Sequence, residues 1–122
     1  MNSYKDLIVW QKSFALSKEI YRVTGLFPRS ETYGLCDQLR RASVSIVSNI
    51  AEGFSRKSVL ENMRFNSIAF GSTSEVETQL LLAKELGFAA QEEFVFAENL
   101  LIEVRKMLNA MRVGLRKRAT ND

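Results

Sequence analysis

Arg40 and Arg41, Arg56 and Lys57, Arg64, Arg112, and the run Arg116, Lys117 and Arg118 are the side chains whose type and spacing point to chemistry, and that chemistry is phosphate binding. Cations gathered with few aromatic residues among them suit a sugar-phosphate backbone and are poorly suited to reading bases. Around Arg40 and Arg41, residues Leu35, Leu39, Ala42, Ile46, Asn49 and Gly53 recur at steps of three and four. That spacing puts them on one side of a helix and turns both arginines off it, outward. Replacing Arg40 and Arg41 by alanine is therefore expected to weaken binding without disturbing helicity. Arg56, Lys57 and Arg64 are expected to converge with them at one end of the fold, beside the basic residues that close the chain.

Other chemistries fail on composition. The 122 residues contain no histidine, which removes the usual general base near neutral pH, the catalytic dyads that rely on it, and imidazole metal sites. No two acidic residues lie three or four positions apart, so carboxylate pairs for a two-metal site are missing. The lone Cys36 has no disulfide partner and fits a small buried side chain in a reducing cytoplasm. There is no glycine-rich phosphate loop or dinucleotide fingerprint. The expectation is a protein without enzymatic activity, catalytic residues, metal or cofactor.

Net charge is +3, but its distribution carries more information than its total. Residues 1–73 hold ten basic and six acidic side chains, residues 74–103 one and seven, and residues 104–118 six and none. Separated signs attract a polyanion at one place and a basic partner, or a second copy, at another.

The elements that must position these charges read as four helices in a single domain over residues 1–122. The first spans about 6–24, with Leu7, Trp10, Phe14 and Tyr21 in one stripe and Val9, Leu16, Ile20 and Val23 in a second. Two stripes exceed what one bundle core needs, so Trp10 and Phe14 are expected at an oligomer interface. The second helix is expected over about 31–51, its small Ser43, Ser45 and Ser48 letting a neighbour approach and Gly53 ending it. Ser58 and Glu61 have capping-box spacing before a third helix that Gly87 stops. The fourth, about 91–117, repeats Phe94, Ala97, Leu101, Val104, Leu108, Met111 and Leu115 as a heptad stripe, flanked by Phe96 and Leu100 as further interface candidates. Residues 117–122 are expected to fray. Short joins make the fold all-α, an antiparallel up-down-up-down four-helix bundle. No apolar run approaches the ~20 residues of a membrane helix, and the start of the chain does not read as a signal peptide, so a cytoplasmic protein is expected.

Asp6, Leu7, Val9, Trp10, Gln11 and Lys12, then Phe27, Pro28, Glu31, Gly34, Leu35, Gln38, Arg40, Arg41 and Ala42, carry a resemblance. It continues through Ser45, Ile46, Ser48 to Gly53, Arg56, Ala69, Gly71, Ser72, Glu75, Glu77, Gln79 and Leu80. The chain resembles the small four-helix-bundle proteins encoded within intervening sequences of bacterial 23S ribosomal RNA genes. The resemblance implies a ring-shaped homopentamer. A more distant similarity, to the accessory protein of diversity-generating retroelements, implies RNA or DNA binding or a protein partner such as a reverse transcriptase, for which the bundle would act as a scaffold. Two positions depart from the family pattern: Val47 stands where proline is expected, and Phe70 where a basic or polar residue is usual. Phe70 is accordingly expected to face a neighbouring subunit.

Overall fold

The computed structural model describes residues 3–121, and they form four helices: α1 (Ile8–Thr24), α2 (Leu35–Ser55), α3 (Val59–Glu85) and α4 (Val95–Asn121). Short 3-10 turns at Tyr4–Asp6, Arg29–Glu31 and Gln91–Phe94 precede α1, α2 and α4. No described helix is long and apolar enough to cross a membrane.

Side-chain pairs along each seam fix the directions of the helices. Between α1 and α2, the Ser17 and Ser43 hydroxyls meet at 3.1 Å and the Cys36 thiol donates to the Thr24 carbonyl. Between α2 and α3, Ser45 meets Ser72 at 2.8 Å and Gln79 donates to Gln38. Between α3 and α4, Lys84 pairs with Glu98, while the Asn66 amide donates to the Leu108 carbonyl. Lys12 pairs with Glu103 and Arg22 with Glu93 across α1 and α4. In every pair of partners one number rises as the other falls, so all four seams are antiparallel and the bundle runs up-down-up-down. The helices stand in the cyclic order α1, α2, α3, α4, which sets the α1/α2 face opposite the α3/α4 face.

The core follows the helical spacing. Leu16, Ile20 and Val23 of α1, Leu39 and Ile46 of α2, Val76 of α3, and Val104 and Leu108 of α4 are fully buried. At its core positions α3 supplies mostly small residues, Ala69, Ser72, Thr73 and Ala83, and α2 answers with Ala42, Ser45 and Gly53. Small against small brings these two backbones closest together.

Gly53 does not end its helix. It lies within the last turn of α2, where a Cβ would stand 2.8 Å from Asn62 Oδ1 and 3.2 Å from Phe65 Cβ. Its role is close approach to α3, and α2 continues to Ser55 before Arg56 turns extended. The start of α2 also shifts, because Arg29–Glu31 closes a separate 3-10 turn and α-helical geometry begins only after Gly34. Ser58 caps α3 as its spacing requires, its hydroxyl accepting from the Glu61 N–H at 3.3 Å. Gly87, at φ 70°, is the described glycine in the left-handed region and stops that helix.

Charge closes the end where α1 finishes. Arg22 binds both Glu19 and Glu93, and those hydrogen bonds, Glu19 first, hold its guanidinium pKa above the ordinary arginine value. Burial pushes the Cys36 thiol up, against the opposing field of Arg40, so it stays a protonated core side chain.

Candidate nucleic-acid interface

Arg40 is not offered to solvent. Its Nε donates to Thr24 Oγ1 at 2.8 Å, its Nη2 to the Tyr21 carbonyl at 3.3 Å, and its guanidinium lies 4.6 Å from the centre of the Tyr21 ring. Tyr21 and Thr24 belong to the last turn of α1, so Arg40 braces that helix end from the side, adding a donor to the Tyr21 carbonyl that already accepts from the Gly25 N–H, and complements the helix dipole. The helical spacing correctly turned Arg40 away from the core of its own helix but could not show that α1 lies in its path. Arg40→Ala is therefore expected to destabilise the fold by about 1–2 kcal/mol, as loss of a charge-assisted bond at a half-buried site does. A thermal melt reads this, and an unchanged midpoint would refute the bracing role. Arg41 is exposed and pairs with Asp37 at 3.1 Å, one turn back.

The expected convergence divides in two. Arg40 and Arg56 are sixteen residues apart along one continuous helix and its cap, about 24 Å of axial rise, so they occupy opposite ends of the bundle. Arg56 is itself engaged, donating to Glu52 at 3.1 Å and lying 4.9 Å from the Phe65 ring centre. The remaining cations do gather. The antiparallel register of α4 on α3 runs from Lys84 with Glu98, through Thr73 with Arg105, to Asn66 with Leu108. Continued for nearly three more turns, it brings Arg112, Arg116, Lys117 and Arg118 alongside the start of α3, toward Lys57 and Arg64. Lys57, Arg64, Arg116, Lys117 and Arg118 are exposed, and none of them pairs with a carboxylate among the described residues. Unbroken helical geometry carries this basic group through Asn121, beyond the end expected near Lys117.

The interface candidates also separate. Trp10 stacks on Phe14 at 5.0 Å and meets Tyr4 at 5.5 Å, and Phe14 remains about half exposed. With Tyr21, Val44 and Val47, Phe14 lines a groove of about 580 Å³ between α1 and α2, with Lys18 on its wall. Phe96 is exposed on α4. Leu100 is only 7% exposed and lies in the core of its own chain, so it has no surface to give an interface. Phe70 does not stand bare toward a neighbour either: it packs against the core from α3 while the guanidiniums of Arg105 and Arg112 cover it. On the opposite side of the bundle, Leu81 and Ile102 line a second groove between α3 and α4, flanked by Glu77 and Glu98.

Sequence spacing alone missed Arg105. Its signal was present, seven residues before Arg112 on the same face of α4, but its partners Phe70, Thr73 and Ser74 belong to another helix and appear only with the α3–α4 register. No cluster of three or more histidine, cysteine or acidic residues able to hold a metal exists among the described residues.

Comparison with known proteins agrees with this architecture. The family model described as 23S rRNA-intervening sequence protein matches residues 5–110. A crystal structure of a protein of unknown function from the S23 ribosomal protein family of Bacteroides thetaiotaomicron superposes with a TM-score of 0.80 at 22% identity, over 86% of this chain and 98% of that one. That likeness shows a shared fold. No curated protein matches the sequence.

Proposed function

The chain belongs to the 23S rRNA-intervening sequence protein family, and from that premise we propose that it is a non-enzymatic, oligomeric protein that binds RNA or DNA through phosphate contacts. One observation carries the reading: Lys57, Arg64, Arg116, Lys117 and Arg118, joined by Arg112, crowd one end of the bundle, and none of them forms an ion pair among the described residues. A helix C-terminus accounts for two or three such charges, and this group is larger. A polyanion gains from it by releasing counterions, without reading sequence.

Two opposite apolar faces support self-association. The α1/α2 groove with Phe14, Tyr21 and Val44 has Lys18 on its wall, whereas Glu77 flanks the α3/α4 groove beside the Lys84-paired Glu98. One face laid on the other matches apolar surface to apolar surface and brings Lys18 toward Glu77. Unlike faces meeting in this way give a head-to-tail contact, which closes into a ring when the rotation permits, as in a homopentamer. Trp10 and Phe14 are the candidates for that contact on the α1/α2 side, whereas Phe96, one heptad before the Glu103 that pairs with Lys12, lies on the α1/α4 side and outside both grooves. The α1/α2 groove also favours a second reading, a scaffold that presents it to a protein partner such as a reverse transcriptase and has little nucleic-acid affinity of its own.

The deciding measurement is binding of the purified protein to a labelled structured RNA, a DNA duplex and a single strand across about 50 to 300 mM salt, with its mass in solution recorded alongside. Affinity falling steeply with salt is the expected result. A well-formed oligomer that binds none of the three at the lowest salt overturns the phosphate reading in favour of the scaffold.

A further inference from the structure

Arg105 and Arg112 share one aromatic ring. Their guanidinium carbons lie 4.7 and 5.5 Å from the centre of Phe70, each within cation–π range. Neither pairs with a carboxylate among the described residues. Arg105 is held by two neutral acceptors, Thr73 Oγ1 at 2.9 Å and Ser74 Oγ at 3.0 Å, and both bonds come from Nη1. Its Nε–Nη2 edge, the edge that meets phosphate with two parallel bonds, is therefore left without a partner on a side chain already fixed in place. Arg112 donates to the Asn109 side chain, again neutral. Two like charges held against one ring raise the positive potential around it, which favours an anion beside them.

The pair continues the basic end along the bundle. Positions 105, 112 and 116 fall on one line of α4 to within about 20°, and they span about 16 Å. A track of that length takes a few successive phosphates of one strand.

We propose that Phe70, Arg105 and Arg112 form a phosphate-binding track that carries a nucleic-acid strand from the basic end along α3 and α4 as far as Arg105, short of the groove lined by Leu81 and Ile102. This rests on the function proposed above and adds a place and a mechanism to it. With its ring occupied by guanidiniums, Phe70 takes no base; it orients the arginines, and the contact is to the backbone whatever the sequence. Phe70 is thus a positioning residue and Arg105 the binding residue.

The test is fluorescence anisotropy with a labelled single strand of about 20 nucleotides, titrated across about 50 to 300 mM salt. Arg105→Gln is expected to weaken binding about tenfold and to reduce the slope of log affinity against log salt by about 1. Phe70→Leu keeps the charge and the apolar bulk, and is expected to weaken binding several-fold, while Phe70→Tyr keeps the ring and binds as the native protein does. If Phe70→Leu fails to fold, Arg112→Gln takes its place, with the same loss expected as for Arg105→Gln. Native affinity in Arg105→Gln together with Phe70→Leu or its substitute, while neutralising Arg116, Lys117 and Arg118 abolishes binding, overturns the track and leaves the proposed function standing. Absence of salt-sensitive binding by the native protein overturns both.

Discussion

Replacing Phe94 by alanine is expected to remove about 3–5 kcal/mol of stability, the largest loss from any single truncation in this fold. The ring is fully buried at the last position of the 3-10 turn that leads into α4. It lies 6.1 Å from the ring of Phe27, which in turn sits 5.6 Å from Phe88. Phe27 follows α1 and Phe88 follows α3, so this aromatic cluster joins the two connections at one end of the bundle. Alanine leaves a cavity that the rigid helix ends cannot close, and the transfer and cavity losses add. A domain of this size has only about 5–15 kcal/mol in total, so the variant loses a large share of it. Its melting midpoint, followed by circular dichroism at one fixed protein concentration, is expected to fall by about 10–20 °C. A fall of under about 4 °C would show that the end of the bundle repacks and that the cluster is not part of the cooperative core.

How far the sequence led can be judged from particular residues. The four helices were legible because steps of three and four report which side of a helix is buried, and Leu16, Ile20, Leu39, Ile46, Val104 and Leu108 are all in the core. Ser58 and Gly87 were legible because capping chemistry is local. Gly53 was misread because a glycine that ends a helix and a glycine that admits a neighbouring helix look the same in one sequence; only the 2.8 Å approach of Asn62 separates them. Arg40 was misread for a related reason. Periodicity gives the direction of a side chain relative to its own helix and says nothing of what stands there, which is the end of α1. Leu100 shows the converse: a position flanking the stripe became core because α4 buries a wider arc than the heptad marks. The basic end was half legible. Charge counts marked residues 104–118, but the split between Arg40 and Arg56 follows from helix length, and the Phe70–Arg105 pairing from inter-helix register.

Neutralising Lys57, Arg116, Lys117 and Arg118 together to glutamine is expected to lower nucleic-acid affinity about 10³-fold at about 0.1 M salt, and to reduce the salt slope by about 3–4. All four side chains are exposed and free of ion pairs with the described carboxylates, and glutamine supports a helix nearly as well as lysine or arginine, so the fold is expected to remain intact. The matched control is Arg41→Gln at the other end, about 22 Å from Arg56 along α2, where Asp37 already neutralises the charge. Its affinity is expected to stay within about twofold of native. The slope decides the matter more firmly than the affinity does. An unfolded or misassembled variant loses affinity through the fraction of competent protein, which leaves the slope of the remaining molecules unchanged. A variant that has lost phosphate contacts binds weakly and with a shallower slope. Native affinity at an unchanged slope would therefore move the binding surface away from this end of the bundle, while a shallow slope with native helicity would identify these four cations as the ones that displace counterions from the strand.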